Sequence, residues 1–260
     1  MPNHKGFRRF PLCCRTVGTS VESSGRTAAA FFDLDKTIIS RSSTLAFASS
    51  FYRHGLISRT QACRSAVAQL TFRLAGASPA RMERIRDQVS ALCAGWSADQ
   101  VRRIVTEGLA DVIGPSVYTG ARDLLALHQR DGHDIVIVST SGQEIVGPIG
   151  TMLGATAVIA TRLQIAQGRY TGQMDFYAYG EAKADHAGKL AADRGYRLAD
   201  CFAYSDSVTD LPLLELVGRP HTVNPDRALR KVARARHWPE LTFRQTEGGI
   251  TSLAAALPPG

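Results

Sequence analysis

The chain must find room for Ala28-Ala29-Ala30-Phe31-Phe32, an apolar run that passes without a break into Asp33-Leu34-Asp35. A short continuous apolar run reads as a strand buried on both faces. Burial on both faces belongs to parallel sheets, whose crossover helices cover both sides. The polar residues then mark the point where the strand leaves the core. In an open parallel sheet that carboxyl edge is where ligands bind. Two acids one residue apart repel each other on a free loop, but they are useful around a divalent cation, where one of them also attacks an electrophile.

The rest of the chain supports such a sheet. A helix is expected over 119–131, ending at Gly132, and Ile135-Val136-Ile137-Val138 is a β-branched run that predicts a second buried parallel strand. Ser141 and Glu144 are expected to cap the helix that follows. Ala157 to Gln173 alternates and turns at Gln167-Gly168, which predicts a hairpin. A helix after Gly180 should end at Gly195. Phe202-Ala203-Tyr204 should be a strand leading to Ser205-Asp206, and a last strand around His221 to Val223 should precede a basic helix from about Pro225. Alternation of strand and helix implies an α/β fold with a doubly wound parallel sheet.

Between the first two strands the punctuation is helical. Ser43 is placed to cap a helix stopping near Gly55, and Ser58 one stopping near Gly76. A third starts at Ser78-Pro79 and ends near Gly95. Ser97 with Gln100 forms a capping box for a fourth, ending at Gly114-Pro115. Leu45, Phe47, Ala48, Phe51 and Tyr52 fall at helical spacing, as do Val101, Ile104, Val105 and Leu109. Four short amphipathic helices suggest a small bundle inserted directly after the first strand.

Composition narrows the functional classes. No run approaches the roughly 20 apolar residues that span a bilayer. Pro11, Cys13, Arg15 and Ser20 interrupt anything like the apolar part of a secretory signal. The net charge of +8 belongs to the ends, with +4 in residues 1–27 and +5 in residues 219–244, leaving −1 elsewhere. Without aromatic interleaving or a recognition-helix pattern, these ends read as solvated rather than as a nucleic-acid surface. Five cysteines, at 13, 14, 63, 93 and 201, include no C-x-x-C pair, which favours reduced thiols and a cytoplasmic location. Cys201 reads as a small core residue.

Asp33/Asp35/Thr37, Ser139, Lys183 and Asp206/Asp210 all fall at expected strand ends or on an adjoining helix. Each alone has an ordinary reading, such as a loop acid, a solvated lysine or a helix cap. In this order the set resembles the haloacid dehalogenase superfamily, in its phosphoserine-phosphatase-like branch with a helical cap. The resemblance rests on Asp33-Leu34-Asp35-Lys36-Thr37, Ser139, Gly180-Glu181-Ala182-Lys183 and Asp206-Ser207-Val208-Thr209-Asp210, with Val223-Asn224-Pro225-Asp226 beyond them. It implies a Rossmann-like core over 28–42 and 116–245 and an inserted cap over 43–115. A disordered basic tail over 1–27 and a C-terminal tail over 246–260 would flank these.

The activity implied is Mg²⁺-dependent hydrolysis of a small phosphorylated metabolite through an aspartyl-phosphate. Asp33 would be the nucleophile and Asp35 the acid/base. Lys183 would offset charge between Asp33 and the phosphate. Ser139, with Thr140 and Thr37, would serve the substrate, Thr37 chiefly by supporting the loop. Mg²⁺ would be held by Asp33, Asp206 and the backbone carbonyl of Asp35, and Asp210 would orient Lys183 or a metal-bound water. The expected partners are that metabolite and at most a second copy of the chain, with no nucleic acid and no membrane. A glutamate that binds the substrate ammonium in phosphoserine phosphatases is replaced by Ser42, and the glycines after the second-motif serine by Thr140-Ser141. The rival readings are phosphoryl transfer to an acceptor other than water and a non-catalytic regulatory protein of the same fold.

Overall fold

In the computed structural model of the protein, residues 27–57 and 87–244 are described. β1 (Ala29–Asp33) is wholly buried and lies in the middle of a seven-stranded sheet of order β4-β3-β2-β1-β5-β6-β7. It pairs in parallel with β2 (Asp134–Gly142) and with β5 (Phe202–Ser205). β3 (Ala157–Ala166), β6 (Arg219–Val223) and β7 (Glu240–Leu241) extend the parallel run, while β4 (Arg169–Phe176) is antiparallel to β3. The chain winds outward from β1 through β2 and β3, then returns to β5 on the other side. The strand order therefore reverses beside β1, the kind of switch point that opens a crevice at the carboxyl edge.

Between β1 and β2 the regular elements among the described residues are helical. They are α1 (Ser43–Ala46), α2 (Ala48–Arg53), a run over residues 87–93 and α3 (Ala98–Gly108), then a π turn and a 3₁₀ turn that reach Ser116, and last α4 (Thr119–Arg130). The single helix expected from Ser43 breaks at Phe47, whose ring is fully buried beside Phe51. Tyr52 of the same apolar pattern is exposed. Ser43 is not the cap: Ser42 holds that position without a side-chain bond. The Ser97 hydroxyl accepts from the Gln100 N–H at 3.3 Å as expected, but the box is half made, because the Gln100 side chain donates to the His54 carbonyl. The helix expected over 58–76, the helix start at Ser78-Pro79, Cys13, Cys14, Cys63 and the tails over 1–26 and 246–260 lie outside the described residues.

Alternate residues of the central strands feed two cores, as the two-residue period of a strand requires. Ala30, Phe32, Ile135 and Ile137 pack on one side with α3, α4 (Thr119–Arg130) and α5 (Gln143–Met152). Ala29, Phe31, Val136 and Val138 pack on the other with α6 (Glu181–Arg194), α7 (Leu211–Leu216) and α8 (Arg227–Ala235). Each of the larger side chains among them, Phe, Ile or Val, stabilises by roughly 1.5–3 kcal/mol when fully buried, so β1 and β2 are fixed from both faces. Leu45 apart, the apolar positions expected on the helices after β1 join the first of these cores as buried or flanking members, Tyr52 excepted.

Local chemistry sets the turns. Gln167 and Gly168 both take positive φ, 51° and 75°, the mirror-type turn that suits a hairpin's twist. α6 ends on Gly195 in the left-handed conformation, as its glycine predicts. α5 departs from expectation: Gly142 holds its cap position and no side chain caps it, because Ser141 is engaged elsewhere. No helix among the described residues is long and apolar enough to cross a membrane.

Candidate active site

The carboxyl edge of β1, β2 and β5 gathers the polar residues. Asp33 closes β1, Ser139 lies in β2, and Asp206 follows β5 directly. Lys183 arrives from α6, whose cap residue Gly180 sits at φ 55°, ψ −127°, a conformation open in practice only to glycine. That turn starts α6 so that its first turn delivers Lys183 to the sheet. The Lys183 Nζ lies 2.9 Å from Asp33 Oδ1 and 2.8 and 3.0 Å from the two Asp210 oxygens. All three side chains are buried. An ammonium near a helix N-terminus opposes the helix dipole, so the two carboxylates are what keep it charged there. The Ser205 hydroxyl also donates to Asp210, at 2.8 Å.

Burial dominates the electrostatics. It lifts Asp33 well above the ordinary carboxylate range, with Lys183 pulling the other way and Asp210 and Asp206 adding to the rise. Asp206 is pushed up to about 7 by burial, against the pull of the Lys36 ammonium. For Lys183 burial works against the charge, but Asp210 and Asp33 outweigh it and hold the ammonium above its usual range. The site is therefore short of positive charge.

Asp35 is held by other partners. Its Oδ1 accepts the Ser43 N–H at 2.9 Å and its Oδ2 accepts the Ser141 hydroxyl at 3.2 Å. Burial raises its pKa and these hydrogen bonds lower it, the net shift being upward. The Ser139 hydroxyl accepts the Ser141 N–H at 3.2 Å, which leaves its own proton to donate. The Thr140 hydroxyl donates to the Ala178 carbonyl at 2.9 Å. Thr37 is fully buried, and its hydroxyl finds no hydrogen-bond partner among the described residues.

A model of the haloacid dehalogenase-like hydrolases matches residues 30–215. The chain belongs to the haloacid dehalogenase-like hydrolases. It is 54% identical over 229 residues to an "inhibition of morphological differentiation protein" of Streptomyces azureus, covering 88% of this chain and 82% of the relative. A probable phosphatase of Mycobacterium tuberculosis is 52% identical over 230 residues, or 86% of this chain and 80% of the relative. Among solved structures, a Bordetella pertussis protein of unknown function superposes with a TM-score of 0.73 at 29% identity, over 85% of this chain and the whole of that one.

In this haloacid dehalogenase-like hydrolase the carboxylates fit a hard divalent cation. Asp33 and Asp206 are both buried and both held above their ordinary pKa by burial and by neighbouring acids, so each gains from a nearby positive charge. Among the described residues no group of three or more His, Cys, Asp or Glu side chains is arranged for a metal. The expected set does not require one, since it uses two carboxylates and a backbone carbonyl.

Two further residues hold the site in ways their sequence positions do not announce. Asp226 accepts from Ser207 Oγ at 3.3 Å, Val208 N at 3.0 Å and Leu229 N at 2.7 Å, while its own N–H bonds the Asp206 carbonyl. It thus clamps the loop that carries Asp206 and Asp210, and its signal was the Val-Asn-Pro-Asp segment itself. Ser141 was read as a helix cap and instead touches Asp35.

Proposed function

We propose that this hydrolase cleaves small phosphomonoesters through a phosphorylated Asp33. The observation that carries the reading is the buried Lys183 ammonium bridging Asp33 and Asp210 at the carboxyl edge, with a second carboxylate, Asp35, held by donors nearby. A carboxylate oxygen of Asp33 attacks the phosphorus as the bond to the leaving oxygen breaks. Asp35 hands its proton to that oxygen, then takes a proton from the water that attacks the phosphorus and frees Asp33. Lys183 offsets the charge that builds between Asp33 and the phosphoryl oxygens, and the Ser139 hydroxyl donates to one of them. Mg²⁺ held by Asp33, Asp206 and the Asp35 carbonyl would neutralise phosphate charge and fix its orientation.

Residues 43–115 act as the cap over this edge in the proposal, and the substrate is a small metabolite whose identity depends on that cap. Ser42 argues against a leaving group read through its ammonium by a carboxylate at that position. The odd cysteine count, with Cys201 a buried free thiol, fits a cytoplasmic enzyme. The test is turnover of p-nitrophenyl phosphate with and without Mg²⁺ by the wild type and by Asp33→Asn. The variant should be inactive and the wild type Mg²⁺-dependent. Equal activity of the two proteins sinks the nucleophile assignment. A panel of phosphoserine, histidinol phosphate, glycerol phosphate and phosphocholine then ranks leaving groups.

A further inference from the structure

Ser141 connects the proposed acid/base to the helical segment between β1 and β2. A serine hydroxyl has one proton and two lone pairs. The Ser141 proton goes to Asp35 Oδ2 at 3.2 Å, and its oxygen accepts from Ser43 Oγ at 2.9 Å and from Thr44 Oγ1 at 3.1 Å. Every bonding position of that hydroxyl is therefore filled, and the Ser43 hydroxyl also stands within hydrogen-bonding reach of Asp35. The other Asp35 oxygen accepts directly from the Ser43 N–H at 2.9 Å. α1 thus grips both oxygens of Asp35, one through its backbone and the other through Ser141. Ser43 and Ser141 are buried, so water competes little for these bonds.

We propose that Ser141 is a positioning residue for Asp35, and that with Ser43 and Thr44 it makes proton transfer to the leaving group depend on α1 being seated against the end of β2. The inference rests on the phosphatase reading above. When α1 withdraws, Asp35 loses the Ser43 N–H, and Ser141 loses the two donors that fix its proton on Asp35. Chemistry is thereby coupled to closure over the edge, and a misplaced acid is weakest where the leaving oxygen most needs a proton. A purely structural role, pinning α1 to β2, predicts no such dependence on the leaving group.

The test is kcat/KM for a series of substituted phenyl phosphates, from nitrophenyl to unsubstituted phenyl, in the wild type, Ser141→Ala and Ser141→Thr. This parameter covers only the steps up to transfer onto Asp33, so hydrolysis of the intermediate does not obscure it. Removing a hydrogen bond to a charged group should cost on the order of 10- to 100-fold at the phenyl end, and several times less at the nitrophenyl end. The dependence on leaving-group basicity therefore steepens in Ser141→Ala, and Ser141→Thr restores the wild-type slope. Ser43→Ala, which keeps the backbone donor, should steepen it partly and carries the test if Ser141→Ala does not fold. Equal losses across the series, or no loss, overturn the proposal. Failure of Asp33→Asn to abolish turnover strikes the phosphatase reading instead, and the two results are read from separate proteins.

Discussion

Within the core on one face of the sheet, His128 of α4 makes acid stability a direct readout of packing. Its ring is almost fully buried, set edge-on to Phe32, Phe202 and Tyr204. Its Nε2 lies 2.8 Å from the Tyr204 hydroxyl and its Nδ1 2.9 Å from His133 Nδ1. Burial, reinforced by His133 and His221, lowers its pKa from 6.5 to about 3. The unfolded chain takes up that proton below about pH 6.5, whereas the folded chain refuses it until about pH 3. The stabilisation is therefore complete above the unfolded value and is lost as the pH falls. At about 1.4 kcal/mol per unit, the interval from pH 6.5 to pH 5 removes roughly 2 kcal/mol through this one ring.

His128→Gln abolishes the titration while keeping an uncharged polar group in place. Urea unfolding followed by circular dichroism at about pH 7.5 and about pH 5 should show the wild type losing roughly 2 kcal/mol more than the variant over that interval. The raised carboxylates contribute with the opposite sign but are common to both proteins. Parallel losses in the two proteins would refute the reasoning.

Lys183→Met leaves two buried carboxylates facing each other without their cation. We expect a loss of about 3–5 kcal/mol in urea unfolding, the usual cost of breaking a buried pair from one side. Turnover of p-nitrophenyl phosphate should fall on the order of 10²–10³-fold, and a fall in turnover without a fall in stability would contradict the shared bridge. Two glycines separate fit from clash. At Gly188, within α6, an added Cβ meets only Leu216 at 3.9 Å, so Gly188→Ala should raise stability by about 0.5–1 kcal/mol. At Gly218 the Cβ would stand 1.9 Å from the Ala199 carbonyl oxygen, and Gly218→Ala should lower the melting temperature strongly.

Much of the sheet was legible because its signals are local. Ile135 to Val138 is β-branched and continuous, and Gln167-Gly168 and Gly195 carry the φ values their turns require. The residues that resemble a known family met at one edge for the same reason, each closing or following an element that the pattern had located. What the sequence hid were choices among partners. Ser141 and Ser43 both look like helix caps, since serine favours that place, yet tertiary acceptors engaged both hydroxyls instead. Thr140 has the residue type to bind a phosphoryl oxygen, and only the position of Ala178 shows where its proton goes. The break at Phe47 is also tertiary, because burial of its ring overrides a helical pattern that ran on through Tyr52.

The central place of β1 carries a consequence for how such an enzyme changes over time. A strand with neighbours on both edges and a core on each face is among the last parts of a fold to open, and its amide protons should exchange near the rate of global unfolding. Asp33 stands at the end of that strand, so the carboxylate proposed to react moves with the most rigid part of the molecule. The helices after it hang from a single crossing between β1 and β2 and are free to diverge in length and side chains. Under the proposed function, reaction and selectivity are thus inherited on separate mechanical parts, and a new leaving group is accommodated by redrawing the second without disturbing the first.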